Sequence, residues 1–299
     1  MGDILALSSF KRLSGRFLAA ILSLGLLAGC QSSQLTAEGL MPASQPVAPV
    51  AFSQIERRGH SALVIDYATG RTLYEDRADA ILYPASLTKM MTLYLLFEAV
   101  ENGQLSRDTL FMVSENAASK PPSKLGLKPG ETIPVSLAMT ALAVKSANDV
   151  ATVVAENMAG TEENFAAVMT RKARSLGMNH TQFANASGLP DPQQASSARD
   201  MAILGRAILS RYPSYARLFA TPSYEYKGKT YKSTNKLLGK VAGVDGMKTG
   251  YINDAGSHLV ATVRRNGRRF IVVVMGGDSS RKRDAEVTDL IERYAGAGA

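Results

Sequence analysis

The chain has 299 residues, enough for one large domain or two small ones, and its 45% hydrophobic and 20% charged residues exclude a disordered protein. Its net charge of +8 suits an anionic surface. The basic residues are scattered apart from "RRNGRR" and "SRKR", however, and no nucleic-acid motif accompanies them, so nucleic acid is not an expected partner.

A single cysteine, Cys30, excludes an intrachain disulfide. With no Cys/His zinc spacing and no His-Glu-x-x-His pattern, neither a metal nor another cofactor is expected. Residues 1–30 read as a signal segment, with Lys11, Arg12 and Arg16 ahead of an apolar run, 17–29, that is too short to span a bilayer comfortably. The run ends in Leu27-Ala28-Gly29-Cys30, which resembles the bacterial lipobox, where the cysteine is diacylated and becomes the new N-terminus. Two acyl chains on one residue anchor stably where one is marginal. The expectation is therefore export to the periplasm or cell envelope, with a lipid anchor on Cys30 holding the protein to the membrane. The alternative is a soluble secreted protein cut after a small residue such as Ala37. Residues 31–55, rich in Ser, Gln, Pro and Ala, read as a flexible linker. The domain 56–299 follows.

"HSALVIDYATGRTLYEDR" (60–77) alternates and turns at Ala68-Thr69-Gly70, which predicts a β-hairpin. Residues 87–102 are apolar on nearly every side, so that helix should be buried. Helices are expected over 134–145, 149–158, 162–176 and 198–211, the last with Asp200 and Arg206 on its polar side. In "SHLVATVRRNGRRFIVVVMGG" (257–277), two strands flank Asn266-Gly267, the preferred type I′ hairpin turn. The run 270–275 is continuously apolar and should be covered on both faces. A helix over 283–295 closes the chain. Strands at both ends with helices between them imply an N-terminal hairpin that returns to join the C-terminal strands.

Three short motifs fall on this frame: Ser86-x-x-Lys89, Ser146-Ala147-Asn148 and Lys248-Thr249-Gly250. Each is weak alone; in this order they resemble the signature of penicillin-binding proteins and class A β-lactamases, with Ser-Ala-Asn in place of Ser-Asp-Asn. From about Arg57 onward the chain resembles the serine D-alanyl-D-alanine carboxypeptidases, the low-molecular-mass penicillin-binding proteins of peptidase family S11. The likeness includes "PASLTKMMT", "FANASGLPD" (183–191) and "SARDMAILGRAIL" (197–209). The resemblance implies an α/β fold of the β-lactamase/transpeptidase type: an antiparallel sheet flanked by helices on both faces, with an adjoining helical cluster.

It also implies a chemistry. Ser86 would attack the carbonyl between two D-alanines of a peptidoglycan stem peptide, and β-lactams would acylate the same hydroxyl. A serine hydroxyl needs a base within hydrogen-bond reach, and residues at i and i+3 share a helix face, so Lys89 can serve. Desolvation and a cationic neighbour, Lys248, would depress its pKa. By resemblance, Ser146 relays the proton to the leaving amine and Asn148 bonds the substrate backbone. Lys248 and Thr249 hold the terminal carboxylate from an edge strand, and Gly250 gives the substrate backbone room. The backbone N–H groups of Ser86 and Tyr251 would form the oxyanion hole. Arg283, or failing it Arg281, would be the further carboxylate ligand.

Rival readings fare worse. No Glu-x-x-Leu-Asn follows the middle motif, and between Glu163 and Lys248 the only glutamate is Glu225, so rapid β-lactam hydrolysis is not expected. His60, His180 and His258 sit in no triad motif, and Met247 between Gly246 and Lys248 breaks the phosphate-loop pattern. A wall-binding lipoprotein without activity stays open, as does an endopeptidase that cuts crosslinks. About fifty residues follow Lys248, and the reading expects neither the β-rich second domain nor the terminal amphipathic helix of many relatives.

Overall fold

The computed structural model describes residues 55–296. The expected signal segment, Cys30 and all but the last residue of the linker lie outside the described residues. In chain order, β1 (Ser61–Asp66) and β2 (Thr72–Asp76) form the expected hairpin. Asp66 closes its turn by accepting from the N–H and the hydroxyl of Thr69, both at 2.9 Å. A 3-10 turn, Ala85–Thr88, runs directly into α1 (Lys89–Glu101). Ten of that helix's thirteen residues are buried, as its apolar composition requires.

Next come β3 (Leu110–Met112), α2 (Glu115–Ser119), β4 (Thr132–Pro134) and α3 (Val135–Thr140). The helix expected over 134–145 is thus α-helical only in its first half and continues as a π-helical turn, Ala141–Lys145. Then follow α4 (Asn148–Ala159), α5 (Glu162–Ser175) and α6 (Ala198–Arg211). Two short hairpins, β3–β4 and β5 (Ser223–Tyr226) with β6 (Lys229–Lys232), carry no expectation from sequence. The chain ends in β7 (Val244–Ile252), β8 (Gly256–Arg265), β9 (Arg268–Gly277) and α7 (Ser280–Ala295). Ser279 caps α7 by accepting from the Lys282 N–H, so the helix starts three residues before the expected Arg283.

The sheet order is β2-β1-β9-β8-β7, every pair antiparallel. The N-terminal hairpin therefore does return to the C-terminal strands, and β9 lies at the centre. Asn266 and Gly267, at φ of 50° and 73°, make the β8–β9 turn. Period-2 alternation explains the unbroken apolar run on β9. Ile271, Val273 and Met275 join the larger core with Leu63, Ile65, α1 and α6, while Phe270, Val272 and Val274 join Ala62, Val64 and the α7 residues Val287, Leu290 and Ile291. Helices thus cover both faces of one antiparallel sheet.

One expectation fails. Asp200 lies not on the polar side of α6 but in the interior, 2% exposed, where it accepts from the Thr181 hydroxyl at 2.7 Å and the His180 N–H at 2.8 Å. Burial raises its pKa. Arg206 is exposed and donates to the carbonyls of Tyr67 and Ala68, pinning the β1–β2 turn to α6.

Candidate active site

Three elements converge on one cleft of about 660 Å³, lined among others by Ser86, Ser146, Asn148, Thr249, Tyr251 and Arg283. The turn before α1 carries Ser86. Ala85, just ahead of it, has φ of 48°, and Ser146 has φ of 62°; both are non-glycine residues in the left-handed region. Such strain survives only where the surroundings hold it, and it concentrates at working sites.

Lys89 opens α1 and is entirely buried. Its Nζ lies 3.0 Å from Ser86 Oγ, 2.7 Å from Asn148 Oδ1, and within hydrogen-bond distance of the Ser187 carbonyl. The Asn148 amide is fixed in orientation because its Nδ2 donates to the Pro121 carbonyl at 2.9 Å. Two of the amine's neighbours are therefore pure acceptors. When the amine is neutral, its two N–H bonds go to them and its lone pair faces Ser86. Desolvation first, and then the charge of Lys248, hold the Lys89 pKa well below that of an ordinary lysine; Glu162 and Asp149 oppose them.

The second lysine, Lys248, is also fully buried, on the edge strand β7. Its Nζ donates to Ser146 Oγ at 2.9 Å and to the Thr249 carbonyl at 3.0 Å. Burial, then Arg283, brings its pKa down to about 7. Ser146 sits at the left-handed end of the π-helical turn and caps no helix with its side chain. The Thr249 hydroxyl donates to Thr234 Oγ1 at 2.8 Å. Arg283 enters from α7, 3% exposed, its Nε bound to Asp284 at 2.8 Å and its Nη1 to the His258 carbonyl. Arg281, exposed on the same helix, is not in the cleft lining.

Two residues sit otherwise than the sequence suggests. Both ends of the Asn148 amide are spent inside the protein, on Lys89 and Pro121, so its bonding is that of a base-orienting group. At Gly250, a Cβ would meet the Pro84 carbonyl at 3.2 Å and Ala85 Cβ at 3.3 Å. The missing side chain lets the strand lie against the turn that carries Ser86. The Tyr251 ring is exposed at the cleft, its hydroxyl donating to Asn253.

Sequence reasoning passed over several supports. Gly188 has φ of 81°, and a Cβ there would fall 1.9 Å from the Ala85 carbonyl oxygen, so this glycine packs directly under the peptide ahead of Ser86. Asn185 Oδ1 accepts from the N–H groups of Ser187 and Gly188, shaping the loop that offers the Ser187 carbonyl to Lys89. The motif "FANASGLPD" marks this loop, though not what it does. His258 donates from Nε2 to the Tyr83 carbonyl and accepts from the Gly276 N–H at Nδ1. Burial pushes its pKa down to about 4, so it stays neutral and ties the segment before Ser86 to the sheet. Among the described residues, no group of three or more His, Cys, Asp or Glu side chains could hold a metal ion, and no helix is long and apolar enough to cross a membrane.

The family model of D-alanyl-D-alanine carboxypeptidases, Peptidase_S11, matches residues 48–279. A curated relative, D-alanyl-D-alanine carboxypeptidase DacF of Bacillus subtilis, is 36% identical over 245 residues, which cover 80% of this chain and 63% of that protein. The chain thus spans somewhat less than two thirds of that relative's length. Among solved structures, D-alanyl-D-alanine carboxypeptidase DacD from Francisella tularensis superposes with a TM-score of 0.76 at 32% identity, covering 87% of this chain and 75% of that one. Penicillin-Binding Protein D2 from Listeria monocytogenes, in its ampicillin-bound form, does so with a TM-score of 0.69 at 30% identity, over 83% and 98%.

Proposed function

The chain belongs to the D-alanyl-D-alanine carboxypeptidase family, peptidase S11, and from that membership we propose that it is a serine D,D-peptidase of peptidoglycan stem peptides. The observation that carries this reading is the neutral-amine geometry at Lys89, a buried nitrogen with two acceptors and one free direction, toward Ser86.

In the first step the Ser86 hydroxyl gives its proton to Lys89 Nζ as its oxygen bonds to the carbonyl carbon of the penultimate D-alanine. The carbonyl π electrons move onto oxygen, where the N–H groups of Ser86 and Tyr251 receive the charge. Collapse breaks the C–N bond. The proton taken up by Lys89 passes through Ser146, whose hydroxyl is in contact with Lys248, to the departing amine, and Lys89 is neutral again. An ester on Ser86 and free D-alanine result. Water then attacks the ester with Lys89 accepting its proton, and as the C–O bond to Ser86 breaks Lys89 returns that proton to Ser86 Oγ, releasing the shortened peptide as an acid. Lys248, Thr249 and Arg283 bind the terminal carboxylate. A β-lactam carbonyl takes the same attack, and the ester it leaves blocks the site; the ampicillin-bound relative supports this.

Residues 1–30 supply the address in this proposal: export, acylation of Cys30, and a tether over residues 31–55 that keeps domain 56–299 near wall and membrane. A palmitate analogue should label wild-type protein in cells and not the Cys30→Ala variant. Equal labelling of the two would remove the anchor.

A fluorescent penicillin should label the protein covalently, and Ser86→Ala should abolish the label. Incubation with muropeptides should release free D-alanine from pentapeptides. Label that persists in Ser86→Ala would overturn the nucleophile assignment.

A further inference from the structure

We infer that Glu162 is a positioning residue for the Lys89 base: one buried carboxylate ties down both of the acceptors that aim the amine at Ser86. The inference rests on the reading of Lys89 as general base.

Glu162 opens α5 with its side chain 9% exposed, and it is absent from the cleft lining, so it does not face substrate. Its two oxygens reach different segments, and Oε1 also accepts from the Thr152 hydroxyl on α4 at 3.4 Å. Oε1 accepts from the Ala186 N–H at 3.2 Å. The Ala186 carbonyl in turn accepts from Thr92, one helical turn beyond Lys89, at 2.7 Å. Ala186 is therefore held through both its N–H and its carbonyl, and the next residue is Ser187, whose carbonyl receives Lys89 Nζ.

Glu162 Oε2 forms an ion pair with Lys120 at 2.8 Å. Lys120 precedes Pro121, whose carbonyl holds Asn148 Nδ2 and so turns Asn148 Oδ1 toward the amine. The segment is anchored further where the Asn148 N–H donates to the Ser123 carbonyl at 2.7 Å. Both acceptor arms therefore converge on one carboxylate. An isolated buried charge is expensive, and a carboxylate kept here has to be paired and bonded as this one is.

The charge matters as well as the geometry. Lys89 is faced by Lys248 from β7, Asp149 from α4 and Glu162 from α5. Asp149 is committed to the N–H groups of Leu125, Gly126 and Leu127, at 3.1, 2.9 and 3.2 Å. Lys248 lowers the proton affinity of Lys89 and Glu162 raises it. Removing the Glu162 charge should therefore make Lys89 a weaker base that sheds its proton at lower pH.

The test is stopped-flow acylation of the full chain by a fluorescent penicillin, over a concentration series from pH 5 to 9. Glu162→Gln keeps an acceptor for Ala186 and loses the charge and the ion pair. Its limiting acylation rate should fall about ten- to a hundredfold, as for a slightly misplaced reacting group, with the apparent dissociation constant unchanged within about twofold. The acid limb of its rate profile should move to lower pH. Lys120→Met, which leaves Glu162 in place, should lose part of the rate, about three- to tenfold.

A folded Glu162→Gln protein with wild-type limiting rate and an unmoved acid limb would overturn the inference, even if its melting temperature dropped. Should Glu162→Gln not fold, a wild-type rate in Lys120→Met overturns it instead. A wild-type protein that takes no label at all would sink the acyl-enzyme reading, and the inference with it.

Discussion

Lys89 Nζ stands 3.0 Å from Ser86 Oγ across a single turn, and the turn is 3-10 up to the very residue at which α1 begins. That junction gives the pair its reach while leaving the lysine inside the core and the serine at the cleft. If the contact is proton transfer, Lys89→Arg is decisive, because a guanidinium keeps its proton at any working pH. Acylation by penicillin should fall by about 10²–10⁴, the range general-base catalysis contributes. Circular dichroism should confirm a folded variant; a near-normal rate at pH 7 would leave Lys89 a structural residue.

If Lys248 holds the substrate carboxylate as proposed, it gives a pH dependence in binding as well. With its pKa near 7, it is cationic below that pH and increasingly neutral above it. A substrate carboxylate favours the charged form. Affinity for a D-Ala-D-Ala peptide should therefore weaken as pH rises above 7, by up to about tenfold per unit for one linked proton. Calorimetry with the Ser86→Ala protein at pH 8 should record proton uptake on binding. A peptide amidated at its C-terminus should show no uptake; identical behaviour of the two peptides would remove Lys248 from carboxylate recognition.

The order of motifs and the alternation of the strands made much of this site legible in the sequence. Ser86 and Lys89 are one turn apart in any helix, and the edge position of Lys248, which the family resemblance implied, is the position of β7 at the end of the sheet. What stayed hidden has no side-chain signature. The Ser187 carbonyl is backbone, Glu162 looks like any first-turn helix acid, and Gly188 matters only for the atoms above it. Asp200 misled for a related reason. Helical spacing gave it and Arg206 to the polar side, but the Thr181 hydroxyl and His180 N–H offer it hydrogen bonds in the interior that no periodicity reveals.

Gly188 can be tested against a neutral comparison. Both Gly188 and Gly103 have positive φ, 81° and 72°, yet a Cβ at Gly103 meets nothing within 4 Å while one at Gly188 collides with the Ala85 carbonyl. Gly103→Ala should lose about 1–2 kcal/mol of stability, the penalty of the left-handed region, and keep its acylation rate. Gly188→Ala adds a backbone collision beside the nucleophile and should reduce acylation by about a hundredfold, the scale of a reacting group displaced by 1 Å. Equal acylation rates for the two variants would separate Gly188 from the geometry of Ser86.

His60 makes the stability of the fold depend on pH. It immediately precedes β1, with Nε2 2.8 Å from Glu286 on α7 and Nδ1 3.2 Å from Asp76 at the end of β2. Both ring nitrogens face carboxylates, so both must carry protons for both contacts to hold. The bond to Glu286 is the chief cause of a pKa raised above 6.5, against the opposing effect of burial. A raised folded-state pKa adds stability that is complete below the unfolded value of 6.5 and disappears as pH climbs through the folded value. The gain is modest, below about 1 kcal/mol, because the three side chains are roughly a third or more exposed and water screens them. The melting-temperature gap between wild type and His60→Gln should therefore be widest near pH 6 and close by about pH 9, where the imidazole is neutral in both folded and unfolded chains. A gap that stays constant from pH 6 to pH 9 would mean that His60 holds α7 to the hairpin by packing and not by charge.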